Sequence, residues 1–227
     1  MFLRGYIINT FTVLIGSGLG LLIGAKLPEK IKKIILSGLG LSTIVIGIQM
    51  ALETQKLLLI VGSLILGGIV GQLIGIEEWL ERVGEKLKVK VGSTSGTFVL
   101  GFVTASLLFC TGPMTIVGSL EDGYARTADL IYIKSVMDGA AAVALTASMG
   151  IGVIFSALTV LIFQGALTYF GMAMGDFINP VVLSELSAAG GILILGIGIN
   201  ILGIAKIRVG NFLPALAFAA LFAWWLL

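Results

Sequence analysis

Apolar runs of some twenty residues, separated by short polar stretches, make up nearly the whole chain. A run of that length matches a transmembrane helix, which needs about 20 apolar residues. The pattern predicts span one over about 6–25, span two over 34–52, span three over 57–76, span four over 98–117 and span five over 128–149. Spans six, seven and eight follow over about 152–172, 186–203 and 212–227. Only Gly150-Ile151 separates spans five and six. Between spans three and four, EEWLERVGEKLKVK (residues 77–90) changes character. There Trp79, Leu80, Val83 and Leu87 recur at helical spacing against a charged remainder, the signature of a helix lying in the membrane interface.

Composition agrees with the pattern. Hydrophobic residues are 58% of the 227, charged residues 11%, and the mean hydropathy is +1.13, against about a quarter charged in soluble domains. The fold class expected is therefore all-α, a polytopic helical membrane protein of about eight spans, with no room for a sizeable soluble domain. The first apolar run continues to Ala25 without a small-residue cleavage site, so it reads as a retained span.

Charge sets the expected orientation. Lys26, Lys30, Lys32, Lys33, Arg82, Lys86, Lys88, Lys90, Lys206 and Arg208 fall in the loops after spans one, three, five and seven, ten of the 14 basic residues. Arg4, Lys56 and Arg126 fall on the other side, and Lys134 lies inside span five. The positive-inside rule then places both termini outside the cytoplasm. A seven-span reading would send Lys206 and Arg208 outward, against that rule.

The two ends of the chain resemble each other. Thr12-Val-Leu-Ile15 with Gly18 and Gly24 matches Thr159-Val-Leu-Ile162 with Gly165 and Gly171. Gly40, Gly47 and Gln49 fall opposite Gly191, Gly198 and Asn200, and Lys56 opposite Arg208. Span one runs inward and span six outward, so the repeat is inverted: residues 1–92, a two-span insert over 93–150, then 151–227. Inverted repeats are frequent in secondary transporters, whose sites lie near the midplane at broken helices.

The insert holds the unusual chemistry. Pro113 removes a backbone donor and biases Gly112 away from helical geometry, so span four should break at Cys110-Thr111-Gly112-Pro113. Freed carbonyls near Phe109 and Cys110 then need partners inside the protein. Either packing alone or a binding site accounts for such a break; Thr115 and Ser119 add hydroxyls along the same segment. Asp138, about ten residues into span five, is an ionisable group at membrane depth, with Lys134 at the i,i+4 spacing that lets the two meet. A structural ion pair and an ion- or proton-binding carboxylate are both open readings. Glu121 and Asp122 are expected in an acidic turn at the outer mouth. Gln49 and Asn200 either bond between helices or line a path.

Several function classes are excluded. There is no histidine, one cysteine and no catalytic GxSxG, HExxH or phosphate-loop motif, so neither an enzyme nor a metal or cofactor site is expected. The scattered basic residues give no nucleic-acid footprint. The expected partners are the lipid bilayer and a small solute or ion, and the glycine-striped helices would suit a homodimer. A transporter or pore for a small polar or charged solute is the first reading, a non-transporting scaffold or sensor that binds a partner protein or anionic lipid the second.

FCTGPMTIVGSLEDG, KSVMDG, GIGINILG and VGNFLPAL resemble the bacterial inner-membrane family of unknown function that includes YdfK and YqgA, domain of unknown function 554. The resemblance covers nearly the whole chain. It implies a bacterial or archaeal cytoplasmic-membrane protein and brings no substrate or mechanism with it.

Overall fold

A computed structural model describes residues 5–124, 127–174 and 179–225, with only the backbone described at Pro113 and Met174. Arg4, Arg126 and the last two residues of the expected span eight lie outside the described residues. The described chain is all helix: α1 (Gly5–Gly24), α2 (Glu29–Ala51), α3 (Leu57–Ile74), α4 (Ile76–Val91), α5 (Phe98–Thr111), α6 (Pro113–Tyr124), α7 (Asp129–Met149), α8 (Ser156–Met174), α9 (Pro180–Ile201) and α10 (Pro214–Trp225). Short 3-10 turns precede α8 and α10.

Six of these elements are long and apolar enough to cross a membrane: α1, α2, α3, α7, α8 with its leading turn, and α9. Large apolar side chains such as Leu22, Leu58, Leu73 and Val136 point outward from them. In water this would be an error of design; in a bilayer the lipid tails cover such faces, and helices are joined instead by close packing of small residues.

The chain divides into two compact units. The first comprises residues 1–39, 81–110 and 114–176, the second 40–80, 111–113 and 177–227.

In the first unit α1 and α7 run parallel and touch through their backbones. Gly16 lies against Gly139, Gly20 against Val143 and Gly24 against Ala147, so a side chain at any of the three would drive into α7. The glycines four apart along span one therefore serve close approach, the role their spacing suggests. α8 runs antiparallel to α1, with Gly165 against the Tyr6 ring.

The break in span four is present: α5 and α6 meet at Gly112 with a bend of 58°. The contacts of the two halves decide whether the pair crosses or turns back. α5 begins beside Gly152, in the turn that leads into α8, and Ser106 Oγ lies 2.9 Å from Thr159 Oγ1 in the first turn of α8. α6 ends with Leu120 and Gly123 against Gly171 and Thr168, near the far end of α8. The two halves together follow α8 from one end to the other.

In the second unit α2, from Gly40 on, runs antiparallel to α9. Gly40 packs on Gly198 and Leu202, Gly47 on Gly191 and Leu195. α3 pairs with α10 in the same way, Gly67 against Ala215 and Gly71 against Asn211. At the other end of α3, Leu57 and Leu58 share a pocket with Phe222 and Trp225. α10 has only 12 residues, shorter than the eighth span expected, yet with its leading turn it follows α3 along nearly its full length.

Candidate functional site

The polar centre of the first unit is built on α1, α7 and α8. Lys134 and Asp138, one turn apart on α7, form an ion pair with side chains only 6% and 11% exposed. The pairing follows from their spacing. Asn9, fully buried on α1, donates through Nδ2 to Asp138 Oδ2 at 2.9 Å and to Gln164 Oε1 of α8 at 3.1 Å. These bonds fix the amide orientation, because turning Asn9 over would set its oxygen against the carboxylate. With the amides so fixed, Asn9 Oδ1 and Gln164 Nε2 are both buried and without a hydrogen-bond partner among the described residues.

Phe109, on α5 in the same unit, lies beside this cluster. Lys134 Nζ sits 6.0 Å from the centre of the Phe109 ring, and the Phe109 carbonyl, freed by the break, accepts from Thr115 Oγ1 at 2.8 Å. The carbonyl near Phe109 thus finds its expected partner within the protein. Cys110 and Thr115 are buried in the same unit. Gly112 and Thr111 are buried at the break, and the Thr111 carbonyl packs on Gly190 in the second unit, where a Cβ would lie 2.6 Å away. The side chain of Pro113 lies outside the described residues.

Four expected positions sit differently from the reading of the sequence. Glu121, Asp122 and Gly123 form no turn, because α6 continues to Tyr124 with Gly123 wedged against the α8 backbone. Asp122 is buried and accepts the backbone N–H of Gly5 at 3.2 Å, satisfying one of the orphan donors at the start of α1. Glu121 is partly exposed. Gln49 is on the exposed side of α2, while the Asn200 amide bonds both N–H and carbonyl of Ile207, at 2.8 and 2.6 Å, closing the turn after α9.

A family model described as "Protein of unknown function (DUF554)" matches residues 4–224. The chain belongs to this family. It is 29% identical over 216 residues to "Uncharacterized membrane protein YdfK" of Bacillus subtilis (strain 168), covering 93% of this chain and 92% of that one. It is 30% identical over 220 residues to "Uncharacterized protein YqgA" of Escherichia coli (strain K12), covering 95% and 94%. No solved structure matches the chain.

Reading this member of DUF554 from its sequence misses several buried polar residues. Glu185 is fully buried, accepting from Thr54 Oγ1 at 2.5 Å and from the Gln55 N–H at 3.2 Å. Its signal was the Asn179-Pro180 pair: Asn179 caps the helix through Val181 N–H and Pro180 occupies the first turn, so α9 begins before Glu185 and not after it. Gln164 carries no charge and passes as an ordinary member of an apolar run, while Asn9 and Asn211, near span ends, read from the sequence as interface residues and are instead buried among hydrogen-bond partners.

Where the second unit's α4 begins, Glu77 Oε2 accepts from Gly210 N–H at 2.7 Å, and Asn211 Oδ1 accepts from Glu77 N–H at 2.8 Å. Glu78 pairs with Arg208. Its own backbone N–H, then Asn211, Arg208 and Gln72, hold the Glu78 carboxyl below the usual carboxylate range against the opposing effect of desolvation. This clasp ties the start of α4 to the segment before α10, two stretches that the charge pattern of the sequence expects on one side of the membrane.

Proposed function

We propose that this membrane protein is a transporter or pore for a small polar or charged solute, coupled to an ion or proton, with Asp138 as the binding carboxylate. One observation carries the reading: a buried Asn9–Asp138–Lys134–Gln164 cluster that retains an acceptor and a donor unpaired among the described residues. An ionisable group at membrane depth is expensive, and a protein that needed only stability would pair every atom around it. Asp138 Oδ1 also takes no hydrogen bond among the described residues. The Phe109 contact sets the cluster beside a broken helix, the feature around which secondary transporters build their sites.

An inverted repeat and eight crossings fit the same reading. Under the match of Gly40 and Gly47 to Gly191 and Gly198, the contacts Gly40–Gly198 and Gly47–Gly191 exchange with each other, as a twofold axis requires. The Lys56–Arg208 match carries the buried Leu59, Ser63, Gly67 and Gly71 onto Asn211, Ala215, Ala219 and Ala223, which are likewise buried. The Thr12–Thr159 match carries buried Asn9, Val13 and Ser17 onto buried Ser156, Val160 and Gln164. The amide pair at the cluster thus joins two repeat-related helices. On this reading the protein sits in the cytoplasmic membrane with the basic loops inside and both termini outside.

Purified protein in liposomes, screened for ion and solute flux, tests the proposal. Wild type should move at least one species down its gradient and Asp138→Asn should not. Flux that is the same in both removes Asp138 from the mechanism.

A further inference from the structure

The first unit contains a cleft of about 340 Å³ where α1 and α7 end and α2 and α5 begin. Glu29, Lys32, Ser95, Thr97, Thr146 and Ser148 supply its polar wall. Thr146 is 1% exposed, and neither Thr146 Oγ1 nor Ser148 Oγ has a hydrogen-bond partner among the described residues. The other buried side-chain atoms in that condition are Ser17 Oγ, Ser119 Oγ, Asn9 Oδ1 and Gln164 Nε2, and all six belong to the first unit.

Their order along the helices is informative. Thr146 stands about 12 Å along α7 from Asp138, and Ser17 about 12 Å along α1 from Asn9, the two helices running parallel. In order along the helix axes, the unpaired atoms therefore run from the cleft, through Thr146 and Ser17, to the amides around Asp138. Leaving a buried hydroxyl unpaired is costly, whereas a small polar space accepts single waters that bond two to four such groups.

What can pass is limited by the seam. Between the cleft and Asp138 the backbone of Gly16 touches Gly139 and that of Gly20 touches Val143, and among the described residues no carboxylate stands between Thr146 and Asp138 on α7 or between Ser17 and Asn9 on α1 to replace an ion's hydration shell. Hydroxyls and single waters both donate and accept, so they hand on a proton without needing a wide opening. We propose that the cleft is the mouth of a proton path that runs by Ser148, Thr146 and Ser17 to Asp138. This rests on the transport reading above and names the coupling species.

The step balances simply. A proton from cleft water bonds to the Asp138 carboxylate, which becomes neutral and releases the Lys134 ammonium; when the proton returns to water, the ion pair reforms. The groups that face Asp138 are Lys134 on its own helix, Asn9 from α1 and, as the titratable neighbour on α5, Cys110. From α8, Gln164 reaches it through Asn9.

Proteoliposomes with a trapped pH dye and an imposed potential test this. Wild type should take up protons, and Thr146→Val should slow uptake by about fivefold, the rate equivalent of one lost hydrogen bond, with Thr146→Ser restoring it. In a Cys110→Ser background, Ser148→Cys modified by a charged thiol reagent from the cleft side should block uptake. Thermal melting of each variant separates a blocked path from a misfolded one. Proton uptake untouched by both the Thr146→Val change and the modified Ser148→Cys overturns the path. Potential-driven sodium or potassium flux without proton uptake overturns the assignment of the species but leaves the transport reading. Absence of any flux in wild type overturns that reading as well.

Discussion

At the scale of single residues, Lys134 and Asp138 illustrate why a buried ion pair is weak evidence for stability. Each charge is tolerated only because of the other, and removing one leaves the partner uncompensated. Lys134→Met should therefore destabilise the protein by about 3–5 kcal/mol, while Lys134→Met combined with Asp138→Leu should recover most of the loss. Thermal unfolding in detergent measures both. A single variant as stable as wild type would mean that the pair contributes no charge interaction. The pair was legible in the sequence because two opposite charges one turn apart in an apolar run lower their burial cost most by meeting each other. Asn9 and Gln164, which complete the cluster, were not: Asn9 lies near a span end and reads as an interface residue, and nothing local shows that Gln164 bonds to an amide beside a carboxylate. Glu185 was hidden by a boundary: beginning the span one residue after it made it a loop residue, although Asn179-Pro180 marks the true start.

The broken helix shows the same division at the scale of elements. Pro113 following Gly112 forecasts where α5 ends, and the need to satisfy a freed carbonyl follows from the lipid surroundings. Which group would satisfy it depends on the 58° bend, because only the bend brings Thr115 Oγ1 to the Phe109 carbonyl six residues back. Thr115→Val removes that donor while keeping the shape of the side chain. It should lower stability by about 1–3 kcal/mol, and Thr115→Ser should restore it, as read by melting temperature. An unchanged melting temperature for Thr115→Val would show the carbonyl to be satisfied by water. Tertiary contact also explains the turn that did not form: Glu-Asp-Gly has loop chemistry in isolation, but Gly123 can approach α8 closely, and that packing carries the helix on to Tyr124.

At the scale of the whole molecule, the order and hydrophobicity of the spans were legible almost throughout, and the last helix is the point at which length and packing diverge. From Val209 to Trp225 the chain covers about 25 Å, short of the ~30 Å hydrocarbon core. Its partner argues that it crosses. α10 and its leading turn follow α3 from Asn211 at Gly71 to Trp225 at Leu57 and Leu58, and α3 is itself long enough to span. A thinner local bilayer or the exposed Trp224 and Trp225 at the boundary accommodates the shortfall at modest cost. If α10 crosses, a position after Leu227 and a position in the loop at Gln55 lie on the same side, opposite the basic loops. Alkaline phosphatase fused after Leu227 should then be active and a fluorescent protein there dark, while Gln55→Cys in a Cys110→Ser background should react with an impermeant thiol reagent on intact cells. A bright fluorescent fusion together with a reactive Gln55→Cys would leave α10 on the cytoplasmic side and remove the eighth crossing, and with it the inverted relation of α3 to α10.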